Sequence, residues 1–213
     1  AVGAAPVVGV WSGEGAAKGP DYRDAREWAG TLGIELRRFD IAPLVETFRR
    51  SLKIRKDNLT ALGNIKARVR MIVLYFIANT EKRLVIGTGN KSELAAAYFS
   101  KFGDGGVDFL PIGDLYKTQV REMAAHLGVP NRIINKTPTA GLWPGQTDED
   151  ELGVRYEVLD RILLGIELHL TPEEIADQAE VDLKTVHRIE TRVAAGAHKR
   201  KPPLIPKVGI RTF

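Results

Sequence analysis

What most constrains this chain is the alternation of short β-branched runs with helical segments. Pro6 to Trp11 (PVVGVW) is apolar and β-branched, the composition of a strand. A glycine-rich loop follows over Ser12 to Pro20, then helical spacing from Tyr22 to Leu32, which Gly33 stops. Ile34 to Ile41 reads as a second strand and Leu44 to Ile54 as a helix. Asn64 to Asn79 (NIKARVRMIVLYFIAN) predicts a long helix, apolar on more than one side. Arg83 to Thr88 (RLVIGT) predicts a third strand, running through Gly89–Asn90 into a helix over Ser92 to Phe99. A tight loop at Gly103 to Gly106, a short strand at Val107 to Ile112 and a helix at Lys117 to Leu127 come next, closed by Gly128 and Pro130. Strands alternating with helices imply an α/β fold with a mostly parallel sheet and helices on both faces. In such sheets ligands gather at the carboxyl ends of strands. That directs attention to Ser12 onward, Thr88 onward and the loop after Ile112.

Beyond Leu127 the pattern changes. Thr137 to Glu151 is a polar, Pro- and Gly-containing loop. Three helical segments follow, Tyr156–Leu164, Pro172–Ala179 and Leu183–Ala195, and the tail from His198 to Phe213 reads as extended. The 213 residues suit one domain with a real core. The sequence has no cysteine, which excludes disulfides, thiolate zinc sites and a cysteine nucleophile, and is compatible with a reducing cytoplasm, where we expect the protein. No apolar run approaches the ~20 residues of a membrane span, and no signal pattern opens the chain. The formal net charge of +4 favours anionic partners. Local basic clusters, among them Arg68 with Arg70 and His198 to Lys201, read by default as solvated faces.

Three segments carry chemistry. Thr88 to Glu93 (TGNKSE) sits at a strand end and opens a helix, so backbone N–H groups there can bind phosphate. Glu93, in the first turn, offers hard oxygen to Mg²⁺, and a plain helix cap accounts for the same pattern. Lys101 to Pro111 (KFGDGGVDFLP) packs a lysine, two aspartates and three glycines together. Asp104 reads as turn chemistry, while Asp108 is harder to explain that way. Lys117 near a helix start is mildly unfavourable unless an anion lies close. Lys136 to Gly153 (KTPTAGLWPGQTDEDELG) is long for a structureless loop, which suggests a functional lid, or an Ω-loop anchored by Trp143.

Taken in order, GTGNKSELAAAYFSKFGDGGVDFLPIGDLYKTQV, KTPTAGLWPGQTDEDELG and HKRKPP closely resemble the NAD synthetases, a family of N-type ATP pyrophosphatases. The resemblance runs from about Val7 into the tail. It implies an adenine nucleotide alpha hydrolase-like, Rossmann-like fold in a single domain over 1–213. It also implies that ATP drives amidation of deamido-NAD by ammonia, through an adenylated carboxylate, to give NAD, AMP and pyrophosphate. On this resemblance Thr88, Lys117 and Thr139 contact ATP, and Glu93 binds magnesium. Lys117 and Glu93 then carry the catalytic work. Arg68, Lys101, Asp108, His198 and Lys199 contact deamido-NAD. The GDGGVD loop matches the ammonia-dependent type rather than the glutamine-dependent one. The implied partners are these small molecules, with neither nucleic acid nor membrane, and a homodimer is implied, for which Asn64–Asn79 is the candidate helix.

One family motif, the pyrophosphate loop SGGxDS, is not found. Ser12-Gly13-Glu14-Gly15 is a superficial echo that lacks the Asp-Ser pair. We expect residues ahead of Ala1 to carry that loop and a central strand, with residues 1–5 ending the helix between. The alternative is a relative that binds nucleotide without turnover. A competitor from another class is a helix-turn-helix over Leu170 to Val193, with Thr171 and Glu174 as its capping box. Asp182 and Glu190 would repel a DNA backbone. Sister amidating enzymes share the fold but not the last two motifs.

Overall fold

The computed structural model describes residues 7–15, 19–206, 208 and 209. The helix end expected over residues 1–5 lies outside them. β1 (Val8–Gly13) and β2 (Glu35–Asp40) pair in parallel, in register from Val8–Glu35 to Gly13–Asp40, with α1 (Pro20–Thr31) as the crossover. Successive strand side chains point to opposite faces. Val10 and Phe39 therefore pack with Ile41, with Val45 of α2 (Ala42–Ser51) and with Val69, Val73 and Ile77 of α3 (Leu59–Glu81). Trp11 turns the other way, and its ring meets Tyr22 of α1 edge-on at 5.1 Å. Helices thus cover both faces of the pair, as the alternation implied.

α3 is longer than its apolar run because its ends are set by polar chemistry. The Asn58 side chain accepts from the Ala61 N–H and starts it, and Lys82, in the left-handed region at φ 53°, stops it. The third and fourth expected strands shrink to one parallel bridge, Ile86 with Phe109. It is held by the Gly87 N–H on the Phe109 carbonyl and the Asp108 N–H on the Val85 carbonyl, each at 2.9 Å. Neither segment bonds to β1 or β2 among the described residues, so no longer ladder forms. Gly87 has to be glycine here, since a Cβ would lie 2.5 Å from a Leu110 methyl.

α4 (Lys91–Ala95) stops short of the expected Phe99 because Ala97 takes φ 52°. α5 (Lys117–His126) begins as predicted, α6 (Asn131–Ile134) lies in a stretch for which no element was expected, and α7 (Asp148–Leu152) falls where loop was expected. α8 (Tyr156–Glu167), α9 (Pro172–Ala179) and α10 (Leu183–Ala195) form a closed bundle around Leu159, Ile162, Ile175, Val186 and Ile189. The α9–α10 hairpin carries the expected capping box at Thr171 and Glu174, but its apolar faces close on α8. It is built as core packing, and His187 pairs with Glu190 at 2.9 Å rather than standing free. The tail begins with a 3₁₀ turn, Gly196–Lys199, pressed on the bend after α4: a Cβ on Gly196 would sit 2.1 Å from that of Ala97. Among the described residues no helix is long and apolar enough to cross a membrane.

Candidate nucleotide site

A cavity of about 560 Å³ opens at the carboxyl end of β1. Trp11 to Glu14 form its floor, Arg70 of α3 and Lys117 of α5 reach it from the sides, and Lys136 to Gly141 close it. Lys117 occupies the first position of α5, at the positive end of the helix dipole. Its placement is fixed from below. The Lys117 N–H donates to Ser92 Oγ at 2.8 Å and the Thr118 N–H to Asp160 Oδ2 at 2.9 Å. Ser92 Oγ in turn donates to Asp160 Oδ1, and both side chains are buried.

The Lys117 ammonium lies 3.4 Å from Glu93 Oε1 and 5.2 Å from the centre of the Tyr156 ring. Glu93 serves two purposes, one with each oxygen. Its Oε2 accepts from the Asn90 N–H at 3.0 Å, while Asn90 Oδ1 accepts from the Glu93 N–H at 3.0 Å, a complete capping box. Oε1 is left to face Lys117. Burial raises the Glu93 pKa above the ordinary carboxylate value, and the Lys117 charge opposes that shift. Glu93 is therefore the cap of α4 and the partner of Lys117 at once.

The long loop is ordered by α3. Lys66 Nζ donates to the Leu142 carbonyl and pairs with Glu14, both at 2.6 Å. Leu142 and Trp143 lie on Gly63, where a Cβ would be 3.0 Å and 3.1 Å from them. Trp143 is thus an anchor, as the Ω-loop reading held. Thr139 lines the cavity and caps its own turn, accepting the Gly141 N–H at 3.0 Å. Lys136 is held by Asp21 at 2.8 Å and Asp24 at 2.5 Å, which join the loop to α1.

The remaining candidates form a second group. Arg68 Nη2 donates to the Lys101 carbonyl at 3.2 Å, and Lys101 Nζ to the His198 carbonyl at 2.8 Å. Lys199 Nζ donates to the Ala97 and Phe99 carbonyls, both at 2.8 Å, and burial lowers its pKa. Asp108 accepts from the Val85 N–H at 2.6 Å and from Tyr75 OH at 3.1 Å. Asp108 and Lys199 are therefore occupied in holding the fold. Thr88 is exposed and outside the cavity lining. Trp11, Arg70 and Lys136 do line it and were not singled out. Arg70 had been grouped with Arg68 as solvated charge, but two residues along a helix reverse the direction of a side chain, and Arg70 points inward.

Fold and cavity together define an α/β protein with a cation-lined cavity at the carboxyl end of a strand. The chain belongs to the NAD synthase family, whose model matches residues 1–203. It is 47% identical over 189 residues to the NH₃-dependent NAD⁺ synthetase of Pyrococcus furiosus, covering 88% of this chain and 73% of that one. Against the enzyme of the same name from Methanococcoides burtonii it is 45% identical, covering 96% and 78%. Among solved structures it is similar to the NMN synthetase of Francisella tularensis, with TM-score 0.77, 39% identity and coverage of 92% and 76%. The NH₃-dependent NAD synthetase of Campylobacter jejuni, in complex with nitrate, gives TM-score 0.76 at 26% identity, covering 93% and 76%.

Proposed function

We propose that the chain is an ammonia-dependent NAD synthetase working as one domain over residues 1–213. The observation that carries this is the Lys117–Glu93 pair at the junction of two helix N-termini, beside a cavity lined by cations. Lys117, Thr139 and Thr88 bind ATP. Arg68, Lys101 and His198 bind deamido-NAD, with Asp108 and Lys199 shaping that surface. The nicotinate carboxylate attacks the α-phosphate, pyrophosphate leaves, and ammonia then displaces AMP to leave the amide. Lys117 neutralises charge on the phosphate in transit, and its backbone, fixed by Ser92 and Asp160, requires no reorganisation as that charge moves. Positioning supplies the rest.

Magnesium fits this site as the partner of one carboxylate. Glu93 keeps Oε1 out of the helix cap, facing Lys117, and no cluster of three acidic or histidine groups exists among the described residues. Magnesium is commonly held by one or two carboxylates together with substrate phosphates. Bound by Glu93, it would supply charge neutralisation on those phosphates.

The test is NAD formation by this chain from Mg²⁺-ATP, deamido-NAD and ammonia, with AMP and pyrophosphate measured as co-products. Nicotinate mononucleotide is run alongside, because one relative is an NMN synthetase. We expect turnover of deamido-NAD and its loss in Lys117→Ala. Deamido-NAD bound without release of pyrophosphate would identify a binding protein instead.

A further inference from the structure

Three cations line the cavity, Arg70, Lys117 and Lys136. Two are already neutralised by carboxylates: Lys117 by Glu93 at 3.4 Å, and Lys136 by Asp21 at 2.8 Å and Asp24 at 2.5 Å. Arg70 differs. Its Nε donates to the Ser12 carbonyl at 3.0 Å, and among the described residues its two terminal nitrogens have no protein partner. The carboxylates whose fields reach it are Glu14 and Asp104, and it forms an ion pair with neither. Glu14 is engaged by Lys66 at 2.6 Å, and Asp104 accepts the Ser100 N–H at 2.9 Å.

A guanidinium does not lose its proton in a protein, so the charge is present at every working pH. Burial makes that charge costly unless an anion meets it. The Ser12 carbonyl fixes the plane of the group at Nε and leaves the Nη edge, the edge that grips an oxyanion with two parallel N–H bonds, facing the cavity.

We propose that Arg70 is a further substrate-binding residue, one that clamps a phosphate group of the nucleotide in this cavity. The inference rests on the NAD synthetase reading above, which supplies the nucleotide. Two sources offer that phosphate: the group that stays with AMP and the pyrophosphate that leaves. The clamp also explains why an arginine sits at this place on α3. Lysine would present a point charge with no fork.

The experiment compares the wild-type chain with Arg70→Met and Arg70→Lys. Affinities for ATP, AMP and pyrophosphate are measured by calorimetry, and thermal midpoints are measured without ligand. Arg70→Met is expected to weaken ATP binding roughly ten- to a hundredfold, and Arg70→Lys to recover only part of it. Parallel losses for ATP and AMP assign the clamp to the phosphate kept by AMP, while parallel losses for ATP and pyrophosphate assign it to the leaving group. Without ligand, Arg70→Met should melt no lower than wild type, because it relieves a buried charge. Unchanged affinity for all three ligands, or a lower midpoint, would overturn the proposal and make Arg70 a structural residue. The two readings fail differently: if the nucleotide reading is wrong, wild type itself binds none of the ligands and forms no NAD.

Discussion

The helices after Arg155 and the sheet region before Thr88 bury their apolar residues very differently. In the helical half Tyr156, Leu159, Ile162, Val186 and Ile189 are all 0% exposed, and Gly165 lets α9 approach so closely that a Cβ there would lie 2.6 Å from Ile175. In the sheet region Ile72 is 52% exposed, Phe76 66%, Leu84 69% and Ile86 44%. The bundle closes a core of its own, with Leu164 and Leu168 left at its surface. The other half presents apolar surface beside strand edges that are unpaired among the described residues, which is the condition that invites a partner. The candidate site lies where they meet. Arg70 reaches it from the sheet region, while Asp160 of the closed bundle fixes where α5 begins. Rigid parts hold a site more precisely than loops do.

The largest expected effect tests the difference in burial directly. Leu159→Ala should lose about 2–5 kcal/mol of stability, the range for a buried large-to-small change. Ile86→Ala, at an exposed position, should fall within about 0.5 kcal/mol. Urea denaturation of both variants checks this, and equal losses would erase the distinction between the halves.

Next comes the link between them. Asp160→Ala removes the acceptor for the Ser92 hydroxyl and the Thr118 N–H, each worth about 1–3 kcal/mol when left buried and unpaired. It should also free the start of α5, so that kcat falls while the KM for deamido-NAD changes little. Asp160→Asn keeps one acceptor oxygen and should recover part of kcat. If every Asp160 variant that folds turned over at the wild-type rate, the bundle would support the fold without positioning Lys117.

Much of this arrangement was legible in the sequence, and the parts that were not share a cause. Helices with their own caps were placed closely, as with Pro172–Ala179 behind Thr171 and Leu183–Ala195 behind Asp182. Local chemistry fixes those ends. Arg83–Thr88 has the composition of a strand, but a strand needs a neighbour that pairs with it over several residues, and composition does not say whether one is there. The family motifs led to Lys117, Thr139 and Glu93. They did not single out Arg70, because charge near charge along a sequence looks solvated until the helix turns one residue inward. Asp160 gave no signal at all: a single carboxylate in an apolar helix acquires its role from Ser92, 68 residues away.

The smallest effect on folding should have a large effect on assembly. Ile72 and Phe76 are one helical turn apart on α3, and Arg68 is one turn before them on the same face. If two copies of the chain meet through this face, the partner would cover the apolar pair and stand beside the Arg68–Lys101–His198 group. Ile72→Ser with Phe76→Ser should then cost each protomer little stability, about 0.5 kcal/mol or less per site, while sedimentation velocity shows the dimer falling to monomer. Turnover should become concentration-dependent in the variant, because a substrate surface next to the interface is completed by association. A double variant that remains a dimer with unchanged KM for deamido-NAD would place the interface elsewhere, and the exposed apolar residues of the sheet region would then need a different occupant from a second copy.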